Sequence, residues 1–118
     1  KMETTINHLN EDQIKELREL LEEKHNRIAT ELNRLETEEL PGLSRGEEAN
    51  DGYGDDAKRD QIRQRLVAQI KRRRKDLAEI NAAKTRMQDG SYGFDERTGA
   101  PIPFARLQVI PTAREKVQ

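Results

Sequence analysis

Two stretches free of glycine and proline, Glu11–Leu40 and about Asp55–Asp89, constrain this chain to form two long helices. In the first, Ile14, Leu21, Ile28 and Leu35 recur every seven residues, with Leu17 and Leu32 also on the apolar stripe and Leu20 and Leu40 beside it. That period marks a coiled-coil seam rather than a broad globular face. Lys24 and Glu31 interrupt the seam. Asn10 and Gln13 stand in capping-box spacing at its start. In the second stretch Leu66, Ile80 and Met87 share a row broken by Arg73, while Ile70 and Leu77 share one broken by Lys84. Pro41-Gly42 is expected to end the first helix, and Gly90 to cap the second. Each helix then measures about 45–50 Å. Neither stripe is buried alone, so the expected fold is all-α, a long antiparallel hairpin of coiled-coil type.

Composition agrees with an elongated helical object. Hydrophobic residues make up 32% of the 118, below the roughly 45–50% of compact globules when glycine is counted. With no cysteine, disulfides, thiolate zinc sites and cysteine nucleophiles are excluded. Nothing approaches a membrane span or a secretory leader, so the expected compartment is cytoplasmic. Charge is balanced at −1, which leaves no global attraction for nucleic acid and makes any electrostatic recognition local. An enzyme is not expected: no nucleophile is paired with a base, and no glycine-rich phosphate loop precedes a helix.

The connection between the helices, residues 41–56, is acidic and punctuated by Gly46, Gly52 and Gly54. Glu47 to Asp60 holds six acids against Lys58 and Arg59, and Asp55 and Asp56 fall where a helix dipole favours negative charge. Such loops are ordinarily just solvated, but one this long between two helices is uncommon without a purpose. As a calcium loop from Asp51 it fails, since Tyr53 stands where an oxygen ligand belongs and Ile62 where the closing Glu is required. Lys71-Arg72-Arg73-Arg74-Lys75 points around most of a helix circumference, with Arg73 facing the seam near Glu31 or Glu38. His8 and His25 lack matching partners and are expected on the surface.

After Gly90 the composition shifts. Three of the four prolines and both phenylalanines lie here, reading as a small knob of turns with a short helix near Phe104–Val109, held by Tyr92, Phe94, Ile102, Phe104, Leu107 and Ile110. Gly90-x-Tyr92-Gly93, Gly99-x-Pro101-Ile102-Pro103, Arg106-Leu107 and Pro111-Thr112-Ala113 resemble the C-terminal module of the DksA/TraR family. Residues 1–89 then form the N-terminal segment and hairpin, and 90–118 the finger-like module and tail.

That resemblance implies a four-cysteine zinc finger, whose first three ligand positions fall here on Asp95, Thr98 and Lys116, with the fourth beyond Gln118. A carboxylate, a hydroxyl and an ammonium do not make a structural zinc site, so a zinc-less variant with no metal or cofactor is expected. The resemblance further implies a monomer that regulates bacterial transcription in response to stress. It would bind RNA polymerase through the secondary channel, without reading DNA sequence, and bring the hairpin tip near the active site. The family's tip pattern, Asp-x-x-Asp-x-Ala, falls on Gly52, Asp55 and Ala57, with Asp51 and Asp56 adjacent. Arg72, Arg74 and Arg106 are candidate polymerase-contacting cations. The positions that hold ppGpp in some relatives fall on Glu79 and Ile110, so action without ppGpp at that place is expected. A binding module for another nucleoprotein machine such as the ribosome, or a homodimeric scaffold, are the alternatives.

Overall fold

The computed structural model describes residues 8–48 and 56–116. Helix α1 spans Glu11–Arg34, a π turn follows at Leu35–Glu39, α2 spans Leu40–Glu48, α3 spans Asp56–Asp89 and α4 spans Phe104–Val109. The fold is all-α among the described residues, a long helical hairpin with a small C-terminal knob. The chain divides into two compact units, one gathering Lys1–His25 with Ala78–Gln118 and the other formed by Asn26–Leu77.

In the first unit α1 opens on a reciprocal capping box. The Gln13 backbone N–H donates to Asn10 Oδ1 at 2.8 Å, and the Asn10 N–H to Gln13 Oε1 at 3.0 Å. Leu17 and Leu21 of α1 are fully buried, as are Tyr92, Ile102 and Leu107 of the knob, with Ile80 and Met87 of α3 nearly so. Lys84, which breaks the apolar row of α3, pairs with Glu22 at 2.6 Å, and this bond is what holds the Glu22 carboxyl below its usual range. α3 ends at Gly90, whose φ of 85° is a backbone state that glycine adopts freely, and the Ser91 and Tyr92 N–H groups both return to the Arg86 carbonyl.

The second unit is antiparallel. Arg73 reaches Glu31 at 3.6 Å and Asp76 at 3.1 Å, Arg74 pairs with Glu36, and Arg59 donates to the Leu43 carbonyl at 3.5 Å. Buried Leu35 and Ile70 supply its apolar contacts. The seam's polar interruptions are therefore ionic crosslinks as well as gaps.

One boundary differs from the sequence expectation: Pro41-Gly42 does not end the first helix, which resumes as α2 and runs to Glu48. The π turn explains this. The Leu40 N–H bonds to the Leu35 carbonyl, five residues back, and this wider turn displaces the carbonyls that a proline ring strikes in an α-helix.

Candidate functional site

The knob is built around a carboxylate. Phe94 and Pro101 form an isolated antiparallel bridge, and the Ile102 N–H donates to the Gly93 carbonyl at 2.7 Å, so residues 93–102 double back on themselves. At the turn sits Asp95, only 3% exposed. Its Oδ1 accepts the N–H groups of Arg97 at 2.8 Å and Thr98 at 3.1 Å, and its Oδ2 accepts the N–H of Lys116 at 2.9 Å. The Lys116 bond, with those of Arg97 and Thr98, holds the Asp95 carboxyl below the usual range against the opposing push of desolvation.

Asp95, Thr98 and Lys116 are the three positions matched to zinc ligands. The structure brings them together, through one side chain and two backbone amides. Both Asp95 oxygens are engaged, Thr98 Oγ1 accepts the Ala100 N–H at 3.2 Å, and Lys116 is exposed. These donors do not fit a structural zinc. The hydrogen-bonded carboxylate does the crosslinking that a metal would do. Sequence reasoning assigned the knob to apolar packing alone and passed over this staple, although Asp95-x-x-Thr98 carries the signature of an Asx turn.

Gly99 closes the turn with φ of 78°, and a Cβ there would meet nothing within 4 Å. Gly99→Ala is therefore expected to cost about 1–2 kcal/mol from backbone strain alone, read as a lower melting temperature with unchanged helix content. Tyr92 is sealed in the core with its hydroxyl donating to the Pro111 carbonyl at 2.7 Å, and burial pushes its ionisation up.

Further contacts fasten the knob to the hairpin base. His8, expected on the surface, is half-buried: its Nε2 lies 2.8 Å from the Ile102 carbonyl and its ring packs edge-on against Phe94 at 5.2 Å. Its partners lie far along the chain, so no local pattern announces this contact. His25 is likewise half-buried. Arg114 forks onto Glu79 at 3.0 and 3.2 Å and reaches Glu96 at 2.5 Å, and these bonds raise its pKa. Arg86 lies beneath, donating to the Thr112 carbonyl at 3.4 Å, with its pKa lowered by desolvation and by Arg114.

Of the tip residues, Asp56 and Ala57 are exposed on the first turn of α3, whereas Asp51 and Asp55 lie outside the described residues. The three candidate cations are differently placed. Arg72 is exposed and unpaired among the described residues, Arg74 is tied to Glu36, and Arg106 donates through Nε to the Glu115 carbonyl at 2.8 Å. Among the described residues no group of three or more His, Cys, Asp or Glu is placed to hold a metal, and no helix is long and apolar enough to cross a membrane.

No family profile matches the sequence. General stress protein 16O of Bacillus subtilis is 37% identical over 82 residues, 70% of this chain and 49% of that protein. The RNA polymerase-binding transcription factor DksA of Caulobacter vibrioides is 49% identical over 47 residues, 40% of this chain and 33% of its own. The chain thus spans about half or less of the length of these curated relatives. The solved structure of transcription factor DksA2 from Pseudomonas aeruginosa aligns over 90% of this chain and 78% of that one, with a TM-score of 0.79 and 30% identity. A hairpin-and-knob fold shared at that identity over nearly its whole length, together with the Gly-Pro framework of the knob, places this chain in the DksA/TraR family, as a form without the zinc-finger cysteines.

Proposed function

We propose that this chain regulates bacterial transcription by binding RNA polymerase through its secondary channel, with the acidic end of the hairpin near the active site and with no catalysis of its own. The observation that carries the reading is the likeness to the DksA2 structure over most of both chains. The name of the Caulobacter relative supplies the partner. Asp56 and Ala57, exposed where α3 begins, agree with a tip that acts outward.

The same reading has the chain act as a monomer, without reading DNA sequence and without ppGpp at the usual factor–polymerase position. Glu79 stands where that ligand would want a cation and is held by the Arg114 fork, so an approaching polyphosphate meets a carboxylate and a guanidinium already neutralised. The test is co-sedimentation with bacterial RNA polymerase, followed by competition with an established secondary-channel factor. Displacement by the competitor, and an affinity changed less than twofold by ppGpp, are expected. Polymerase binding that survives a saturating competitor overturns channel docking.

A further inference from the structure

Within the Asn26–Leu77 unit, the apolar seam of the first helix loses step at the π turn. Continued in α-helical geometry from buried Leu35, the seam next reaches Glu39 and Gly42, four and seven residues on. Neither can fill it. The leucines stand one residue later, at Leu40 and Leu43. Left uncorrected, that extra residue turns both of them about 100° away from the seam.

The structure shows the correction. The Leu40 N–H bonds to the Leu35 carbonyl, a loop that takes in one residue more than an α-helical turn. Glu39 is accordingly exposed, and it pairs with Arg34 at 2.8 Å. Side chains five apart point about 140° away from each other on an α-helix, so this pair records the changed phase independently. Leu40 in turn lines a groove with Val67 and Ile70 of α3, and Leu43 is half-buried, its carbonyl accepting from Arg59 at 3.5 Å. Thr37 is exposed and its hydroxyl bonds back to the Asn33 carbonyl at 2.7 Å, so this residue of the turn gives the seam nothing.

We propose that the π turn is a phase-resetting element that braces the acidic end of the hairpin. It absorbs the extra residue at Leu35–Glu39, returns Leu40 and Leu43 to the seam, and so holds α2 against the first turns of α3, where Asp56 and Ala57 lie. The turn accommodates Pro41, but the seam is what demands it: an α-helical path to the same point buries Glu39 and Gly42 in place of two leucines. The consequence for transcription rests on the channel reading above, in which the brace fixes where the acidic end points. The brace itself does not.

The test is amide exchange over residues 58–66 of α3 in the full chain, with the knob amides as the internal control for folding. Pro41→Ala alone should leave that exchange within about twofold of the unaltered chain. In the Pro41→Ala background, deletion of Thr37 removes the surplus residue and leaves the two leucines four and seven positions after Leu35. Protection should persist. Insertion of one alanine after Thr37 adds a second surplus residue, and exchange should quicken at least about tenfold. Leu40→Ala with Leu43→Ala should do the same in the unaltered chain. Release of α3 by Pro41→Ala alone assigns the turn to the proline and overturns the proposal. So does loss of protection on deletion, its retention on insertion, or its retention when both leucines are truncated. No polymerase enters these measurements, so their failure leaves the channel reading standing, and failure of polymerase binding leaves the brace standing.

Discussion

Asp95→Ala is expected to loosen the knob more than any other single polar substitution, with a fall in melting temperature on the order of 10 °C. The argument rests on what is left behind. Removing the carboxylate takes the shared acceptor from three part-buried bonds at once, those of the Arg97, Thr98 and Lys116 N–H groups, and empties a place where Asp95 itself is only 3% exposed. Asp95→Asn should fall between: one oxygen can still accept from the turn, while the amide group opposes the Lys116 N–H donor to donor. Amide exchange distinguishes the two, since Asn should release Lys116 selectively and Ala should release all three amides. Chelators should leave the melting temperature of the unaltered chain unchanged, because the crosslink is not a metal.

The same group fixes a pH dependence. Its folded-state pKa lies below that of the unfolded chain, so the folded state binds fewer protons through that interval. The stabilisation is complete above the ordinary carboxylate range near pH 4 and is lost as pH falls through the folded value. Acid unfolding followed by tyrosine signal and amide exchange should therefore begin in the knob. Asp95→Ala should flatten the part of the curve that this residue contributes, and a slope unchanged from that of the parent chain would refute the assignment.

Legibility in the sequence followed the range of the interactions. The capping box at Asn10 and Gln13, the seam positions Leu17, Leu21 and Leu35, and the short helix at Phe104–Val109 are local or periodic, and each could be read directly. The π turn could not: Pro41-Gly42 carries a stop signal whose local steric reason vanishes once Leu35–Glu39 widens, and that widening belongs to the tertiary structure. Asp95 was half-legible. Its turn is encoded by Asp95-x-x-Thr98, but its third donor is the backbone of Lys116, and every residue other than proline has that group. The basic run was similar. Periodicity aligns Arg65, Arg72 and Lys75, yet which cations stay uncompensated depends on acids of the opposite strand of the hairpin, Glu31 and Glu36. His8 illustrates the limit, because its partners Phe94 and Ile102 lie at the other end of the chain.

Asp55→Asn with Asp56→Asn is expected to abolish the transcriptional effect while leaving polymerase affinity within twofold. The substitutions are isosteric, and asparagine caps a helix about as well as aspartate, so the start of α3 at Asp56 should survive. What changes is charge. Two carboxylates become neutral; for Asp56, in the first turn of α3, the local loss of helix stability is about 0.3–1 kcal/mol, too small to unfold a helix of 34 residues. Docking in the proposed geometry is spread over the length of the hairpin and the knob, so neutralising its far end should cost little affinity. The effect on the active centre, by contrast, has no source in that geometry other than the tip. In vitro transcription from a promoter that responds to the unaltered chain should therefore fall back to the factor-free level, with co-sedimentation unchanged. A full promoter response from the doubly neutral tip would show that the carboxylates at 55 and 56 are not the acting groups, and would move the search to Asp51 and the glycines beside it.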